Sequence, residues 1–148
     1  FCIAMQADLI LASVKAKFGM AFANVGLIPD LAGMYTLPRL VGLQRAKELI
    51  FTGRTIGAEE ARDMGIVNRV VPHDELLSEA KKLAKQLADG PRVALRMAKN
   101  VINDSINMTL EQLLDLEPHA QSICFQSEDH KIGVDAFFKK EKPIFKGR

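Results

Sequence analysis

GLIPDLAGMYTLPRLVG, residues 26–42, brings Gly26, Pro29, Asp30 and Gly33 together within eight positions. Punctuation this dense predicts a loop that feeds a short helix. Pro29 holds Ile28 in extended backbone and sets the chain direction just before Asp30. The helix is expected to begin near Leu31, with Asp30 at its N-terminus. The residues leave two readings of that aspartate open. As an N-cap, its carboxylate accepts hydrogen bonds from the free amides of the first turn. As a proton shuttle, it faces a reactive carbon in a dry pocket. Phe22, Val25, Leu27, Ile28, Leu31, Ala32 and Met34 would supply the apolar wall of that pocket.

Upstream, Leu9 to Ala12 is an apolar run suited to a buried strand, and a second short extended segment ends at Phe18-Gly19. Downstream, Pro38 and Gly42 frame Arg39-Leu40-Val41, which keeps any helix there short. Gln44 to Phe51 has helical periodicity with Ala46, Leu49 and Ile50 on one side, and Gly53 is a C-cap. Ala58 to Met64 predicts another short helix, ended by Gly65. Val67 to Val71 predicts a strand, stopped by Pro72.

The remainder is helix-rich. Asp74 is placed to cap a helix whose stripe is Leu76, Leu77, Ala80, Leu83, Ala84 and Leu87. Gly90-Pro91 stops it. A second helix aligns Val93, Met97, Val101 and Ile102. Thr109 with Gln112 forms a capping box for a third, which Pro118 is expected to end or kink. Ser127 caps the last, which runs to about Phe138. Strands early and helices late indicate an α/β core followed by a helical region.

The formal net charge of +2 does not demand a nucleic-acid partner. No apolar run is long enough to cross a bilayer. Two cysteines, Cys2 and Cys124, match no zinc spacing and are too few for a disulfide scaffold, which fits a reducing compartment. His73, His119 and His130 are scattered without a ligand pattern, so no metal is expected. The C-terminal AFFKKEKPIFKGR pairs aromatics with cations. It reads either as an amphipathic helix with a lysine fringe, or as a site where an adenine stacks on Phe137 or Phe138 and Lys140 meets a phosphate. The apolar start, Phe1-Cys2-Ile3-Ala4-Met5, is expected to be the inside of a buried element of a longer chain.

Residues 7–71 resemble the enoyl-CoA hydratase/isomerase, or crotonase, superfamily. The resemblance rests on Asp8, AKFG at 16–19, GLIP at 26–29, LPRLVG at 37–42 and FTGR at 51–54, followed by AEEA at 58–61 and GIVNRVV at 65–71. FFKKEKPIFKGR at 137–148 resembles the family's ending. The resemblance implies a crotonase-like α/β fold. Residues 1–72 would be the C-terminal part of a ββα spiral core, incomplete here. Residues 73–148 would be a helical trimerisation and CoA-contacting region.

The same resemblance implies an acyl-CoA thioester substrate, no separate cofactor, a homotrimer or dimer of trimers, and a cytoplasmic location without nucleic acid or membrane. Family hydratases use two glutamates. Aligned through Asp8 and AKFG, those positions hold Cys2 and Phe22, so paired-carboxylate hydration is not expected. Asp30 falls where certain isomerases and a dehalogenase of the family carry a catalytic aspartate. It is therefore the expected catalytic residue, for an isomerase-type proton shift through an oxyanion-stabilised enolate. Phe22, Met34, Phe137 and Lys140 are the expected substrate-binding residues. Hydration, thioester hydrolysis and dehalogenation remain as other chemistries of the family. A non-catalytic acyl-CoA-binding or oligomerisation piece is the remaining alternative. The Gly-rich oxyanion segment is expected immediately before Phe1.

Overall fold

The computed structural model describes residues 1–148. The chain divides into two compact units, Phe1–Ala80 and Lys81–Arg148.

The first unit opens with a 3-10 turn at Ala4–Gln6, then strands β1 (Leu11–Ser13) and β2 (Lys17–Gly19). A 3-10 helix at Ala21–Val25 precedes α1 (Gly33–Val41) and α2 (Leu43–Thr52). Strand β3 (Thr55–Gly57), α3 (Ala58–Asp63) and β4 (Arg69–Val71) follow. A further 3-10 turn, His73–Glu75, leads into α4 (Leu76–Ala88).

β1 and β4 pair in parallel, with Ala12 opposite Val70. A parallel pair requires a crossover, and the helical segment between the two strands supplies it. Asn68 closes the register from one side. Its Oδ1 accepts from the Ile10 amide at 2.7 Å, and its own amide donates to the Ile10 carbonyl at 2.8 Å. β2 and β3 pair antiparallel, with Phe18 opposite Ile56. Ser13 and His73 add a side-chain link of 2.9 Å between Oγ and Nδ1, which ties the end of β1 to the turn after β4.

The core of this unit collects around Met20, Leu37, Leu49 and Ile56, each no more than 1% exposed. Ala12, Ala46, Ala61, Ile66 and Val67 fill between them. α2 buries Ala46, Leu49 and Ile50, the i, i+3, i+4 face its periodicity implies. Gly53 ends it at φ 59°, a left-handed position that glycine takes without a Cβ penalty.

Several boundaries differ from expectation. β1 begins at Leu11 rather than Leu9, and β4 at Arg69 rather than Val67, because Ile66 and Val67 turn into the core before pairing starts. β3 was not anticipated. Pro38 lies inside α1, and Pro118 lies inside α6 (Leu110–Gln126) without ending it. Each proline forfeits one amide donor. In α1, Leu37 and Val41 are buried on either side of the proline and hold the helix through it. Asp74 is not a helix cap. It sits within the 3-10 turn, and the apolar stripe of α4 contributes no buried residue.

The second unit is helical: the part of α4 from Lys81 onward, then α5 (Arg92–Ser105), α6 and α7 (Glu128–Lys139). Both bonds of the capping box are present. Thr109 Oγ1 accepts from the Gln112 amide at 3.3 Å, and Gln112 Oε1 accepts from the Thr109 amide at 2.9 Å. Ser127 Oγ caps α7 by accepting from the His130 amide at 3.1 Å.

Asp129, 1% exposed, is the latch for the chain end. Its carboxylate accepts from the amides of Lys146 at 2.6 Å and Gly147 at 3.0 Å, while its own amide donates to the Arg148 carbonyl at 3.2 Å. Hydrogen bonds to a charged acceptor are the strong kind. Glu128 pairs with Lys146 and Arg148, and the Arg148 guanidinium holds the Glu128 carboxyl below the usual carboxylate range. Part of the basic C-terminal cluster is thus folded back onto α7 and is not a free solvated tail. Ala136 and Asp129 are the buried residues of this unit, so the apolar faces of its helices stand largely open. No helix is long and apolar enough to cross a membrane.

Candidate active site

Asp30 does not cap a helix. Leu31 and Ala32 adopt left-handed backbone, at φ 46° and 60°, and α1 starts only at Gly33. The Gly33 amide closes the turn by donating to the Asp30 carbonyl at 2.7 Å. The amides of Tyr35 and Thr36 donate to the Ala32 carbonyl at 3.0 and 2.9 Å. With two left-handed residues between Asp30 and the first turn, its carboxylate does not reach the helix amides, and no side chain caps α1. Asp30 is exposed, and its carboxylate takes part in no hydrogen bond or ion pair. The structural role that competed with chemistry is therefore not the one this side chain fills.

The turn is built on close packing beneath it. A Cβ on Gly33 would stand 2.7 Å from Cys2 Sγ and 3.2 Å from Pro29 Cβ, so only glycine permits this approach. Cys2 is 5% exposed and its Sγ donates to Met20 Sδ at 3.7 Å. It is a free thiol that packs beneath the turn. From the opening 3-10 turn, Gln6 Nε2 reaches the Leu31 carbonyl at 3.2 Å, the Cys2 carbonyl at 3.2 Å and Thr36 Oγ1 at 3.4 Å. Sequence reasoning passed over Gln6. Nothing in its local spacing signals contact with a residue 25 positions away.

The segment around Asp30 exposes large apolar side chains. Val25 and Ile28 are 72% and 74% exposed, and Leu27, Leu31, Met34 and Tyr35 are exposed too. Such a concentration in one short segment is expected of a binding surface more than of an isolated folded surface. Met34 belongs to this exposed set. Phe22 is half-buried and packs against the core, so it can offer only part of its ring. The Arg39 guanidinium lies 3.5 Å from the centre of the Tyr35 ring and donates to the Tyr35 carbonyl, which fixes that ring on α1.

Phe22, Asp30 and Met34 belong to the first unit, and Phe137 and Lys140 to the second. Phe137 is 79% exposed and meets Phe138 edge to face, with ring centres 5.8 Å apart. Both line an apolar groove of about 1290 Å³ walled by α5, α6, α7 and Phe145. Lys140 stands at the end of α7 in left-handed backbone, φ 56°, and is exposed. No group of three or more His, Cys, Asp or Glu side chains is placed to hold a metal ion.

The chain is similar to several known proteins. It is 42% identical over 135 residues to a short-chain-enoyl-CoA hydratase of Clostridioides difficile, covering 91% of this chain and 87% of that protein. It is 39% identical over 146 residues to a 1,2-epoxyphenylacetyl-CoA isomerase of Escherichia coli (strain K12), covering 99% of this chain and 56% of that one. An enoyl-CoA hydratase subunit from Geobacillus kaustophilus HTA426 superposes with a TM-score of 0.95 at 39% identity, over 99% of this chain and 57% of that structure. The chain thus spans little more than half the length of the latter two. The small paired strands and the dominant helical region are those of a crotonase-like α/β fold. The profile of the enoyl-CoA hydratase/isomerase family matches residues 1–148 throughout, and to that family the chain belongs.

Proposed function

We propose that this chain carries the proton-transfer residue of an acyl-CoA-processing enzyme, and that Asp30 moves a proton between carbons of an enoyl thioester. The observation that carries this reading is a carboxylate without a protein partner, presented on a left-handed turn amid exposed apolar side chains. Asp30 removes a proton from the α or γ carbon. The electron pair delocalises toward the thioester oxygen as a dienolate. The protonated Asp30 then returns the proton to the other end of the allylic system, and the double bond moves by one position. No net proton, water or electron is consumed. Met34 and the exposed edge of Phe22 contact the acyl group, while Phe137 and Lys140 meet the adenine and phosphates of CoA. On this reading residues 1–72 are the C-terminal part of the spiral core. Residues 73–148 form the helical part that assembles a homotrimer or dimer of trimers, consistent with their open apolar faces. The expected setting is cytoplasmic.

Hydration is the second reading, and the names of the relatives favour it. A crotonyl-CoA hydratase of Syntrophomonas wolfei is 37% identical, and hydratase is a commoner name than isomerase among the similar proteins. The site residues argue the other way. Cys2 and Phe22, which align with the paired glutamates of family hydratases, are a buried packing thiol and a core-packed ring.

Incubation of the intact protein with β,γ-hexenoyl-CoA and, separately, with crotonyl-CoA in deuterium oxide separates the two. The expected result is conversion of the first to α,β-hexenoyl-CoA, at least about tenfold faster than any β-hydroxyacyl-CoA forms from the second. Faster water addition to crotonyl-CoA, with no shift of the β,γ double bond, would establish hydration instead.

A further inference from the structure

Two consecutive non-glycine residues in left-handed backbone are costly. The left-handed region disfavours L-residues by roughly 1–2 kcal/mol each, and such pairs persist only where the surroundings over-determine them. Leu31 and Ala32 are such a pair, at φ 46° and 60°. They immediately follow Asp30, so their handedness decides where its carboxylate stands. Four contacts hold them, the first being the 2.7 Å bond from the Gly33 amide to the Asp30 carbonyl, which closes the turn around them. Gly33 is pressed against Cys2 from below. The Ala32 carbonyl accepts the first amides of α1. The Leu31 carbonyl accepts from Gln6 Nε2 at 3.2 Å.

The Gln6 contact differs from the others in kind, because it alone comes from a side chain that hydrogen-bonds to the turn. The packing of Cys2 and the first bonds of α1 act on Gly33 and on the helix itself. Gln6 is the side chain that grips the peptide between the two left-handed residues. An amide group has two N–H donors, and here its nitrogen lies within reach of three acceptors: the Leu31 carbonyl, the Cys2 carbonyl and Thr36 Oγ1. It therefore joins the opening 3-10 turn, the strained turn and the first part of α1 through a single nitrogen. Gln6 is itself exposed, so it adds little to the core; of the three acceptors its loss would leave, the Leu31 carbonyl and the Thr36 hydroxyl are open to water and only the Cys2 carbonyl is part-buried.

From this juxtaposition we infer that Gln6 is a positioning residue for Asp30, which locks the left-handed Leu31–Ala32 turn and so aims the carboxylate. The inference rests on the reading of Asp30 as the proton-transfer group. Gln6 touches no reacting atom. Its effect runs through the Leu31 peptide, and misplacement of a catalytic group by about an ångström can lower a rate about a hundredfold.

The test compares Gln6→Leu, which keeps the bulk and removes the donors, with Asp30→Asn in the intact protein. Isomerisation of β,γ-hexenoyl-CoA gives kcat and KM, and thermal unfolding gives Tm. The expected pattern for Gln6→Leu is a fall in kcat of about 10- to 100-fold, with KM within about twofold and Tm nearly unchanged. Ala32→Gly, which removes the strain, should retain or raise Tm yet also lower kcat, because the turn then samples other conformations. Unchanged kcat in Gln6→Leu, alongside an inactive Asp30→Asn, would overturn the role of Gln6 while leaving Asp30 standing. A parallel loss of kcat and Tm would make Gln6 a stability residue and overturn the inference as well. Full turnover in Asp30→Asn would remove the reading on which the inference stands.

Discussion

Asp30→Asn is expected to lower the isomerisation kcat by about 10²- to 10⁴-fold, the range typical of a lost general acid/base. The substitution is nearly isosteric. On the proposed mechanism it removes the group that accepts and returns the proton, and it breaks no protein contact, because the carboxylate has no hydrogen-bond or ion-pair partner to lose. KM and Tm should therefore change little. That split distinguishes a chemical role from a structural one. A capping aspartate converted to a weaker cap would show the reverse, a stability loss with turnover preserved. Steady-state kinetics beside a thermal melt reads both quantities from the same preparation.

The second large effect is on stability. Leu37→Ala should destabilise the protein by about 3–5 kcal/mol, measured by denaturant unfolding. Leu37 is 0% exposed at the centre of the first-unit core, and it lies one turn beyond Gly33 on α1. Truncation would leave a void in the buried cluster that also holds Met20 and Leu49, and Pro38 beside it limits how α1 can relax. The control is Leu40→Ala on the same helix. Leu40 is 39% exposed, so its loss should cost less than about 1 kcal/mol. Equal effects at the two positions would contradict the assignment of the buried face of α1.

What could be read in advance followed local chemistry. The caps of α6 and α7 are visible because Thr109, Gln112 and Ser127 act on amides three residues away. The buried face of α2 is visible because Ala46, Leu49 and Ile50 repeat at helical spacing. β3 was hidden because Thr55-Ile56-Gly57 offers a single apolar residue where β1 and β4 lie at the ends of longer apolar runs, and its identity comes from pairing with β2. The stripe of α4, half-buried at Leu76, Ala80 and Leu83 and exposed at Leu77, Ala84 and Leu87, shows the limit of periodicity, which marks an apolar face without saying what covers it.

Asp30 could be singled out as a candidate from the residues, but the geometry of its turn could not. Pro29-Asp30 announced a turn, but Leu31 and Ala32 have side chains that ordinarily avoid positive φ. Their handedness is imposed from a distance, by Cys2 against Gly33 and by Gln6 on the Leu31 carbonyl. The latch at the C-terminus is similar. Asp129 sits in the first turn of α7, where a carboxylate is favourable, yet its oxygens are taken by the amides of Lys146 and Gly147.

A structure of the intact protein with a non-reactive enoyl-CoA analogue tests the account most directly. An Asp30 carboxylate oxygen should lie about 3–3.5 Å from the α or γ carbon of the acyl group, with Met34 against the chain. An analogue bound with its thioester beyond reach of Asp30, and that carboxylate still facing bulk water, would contradict the account.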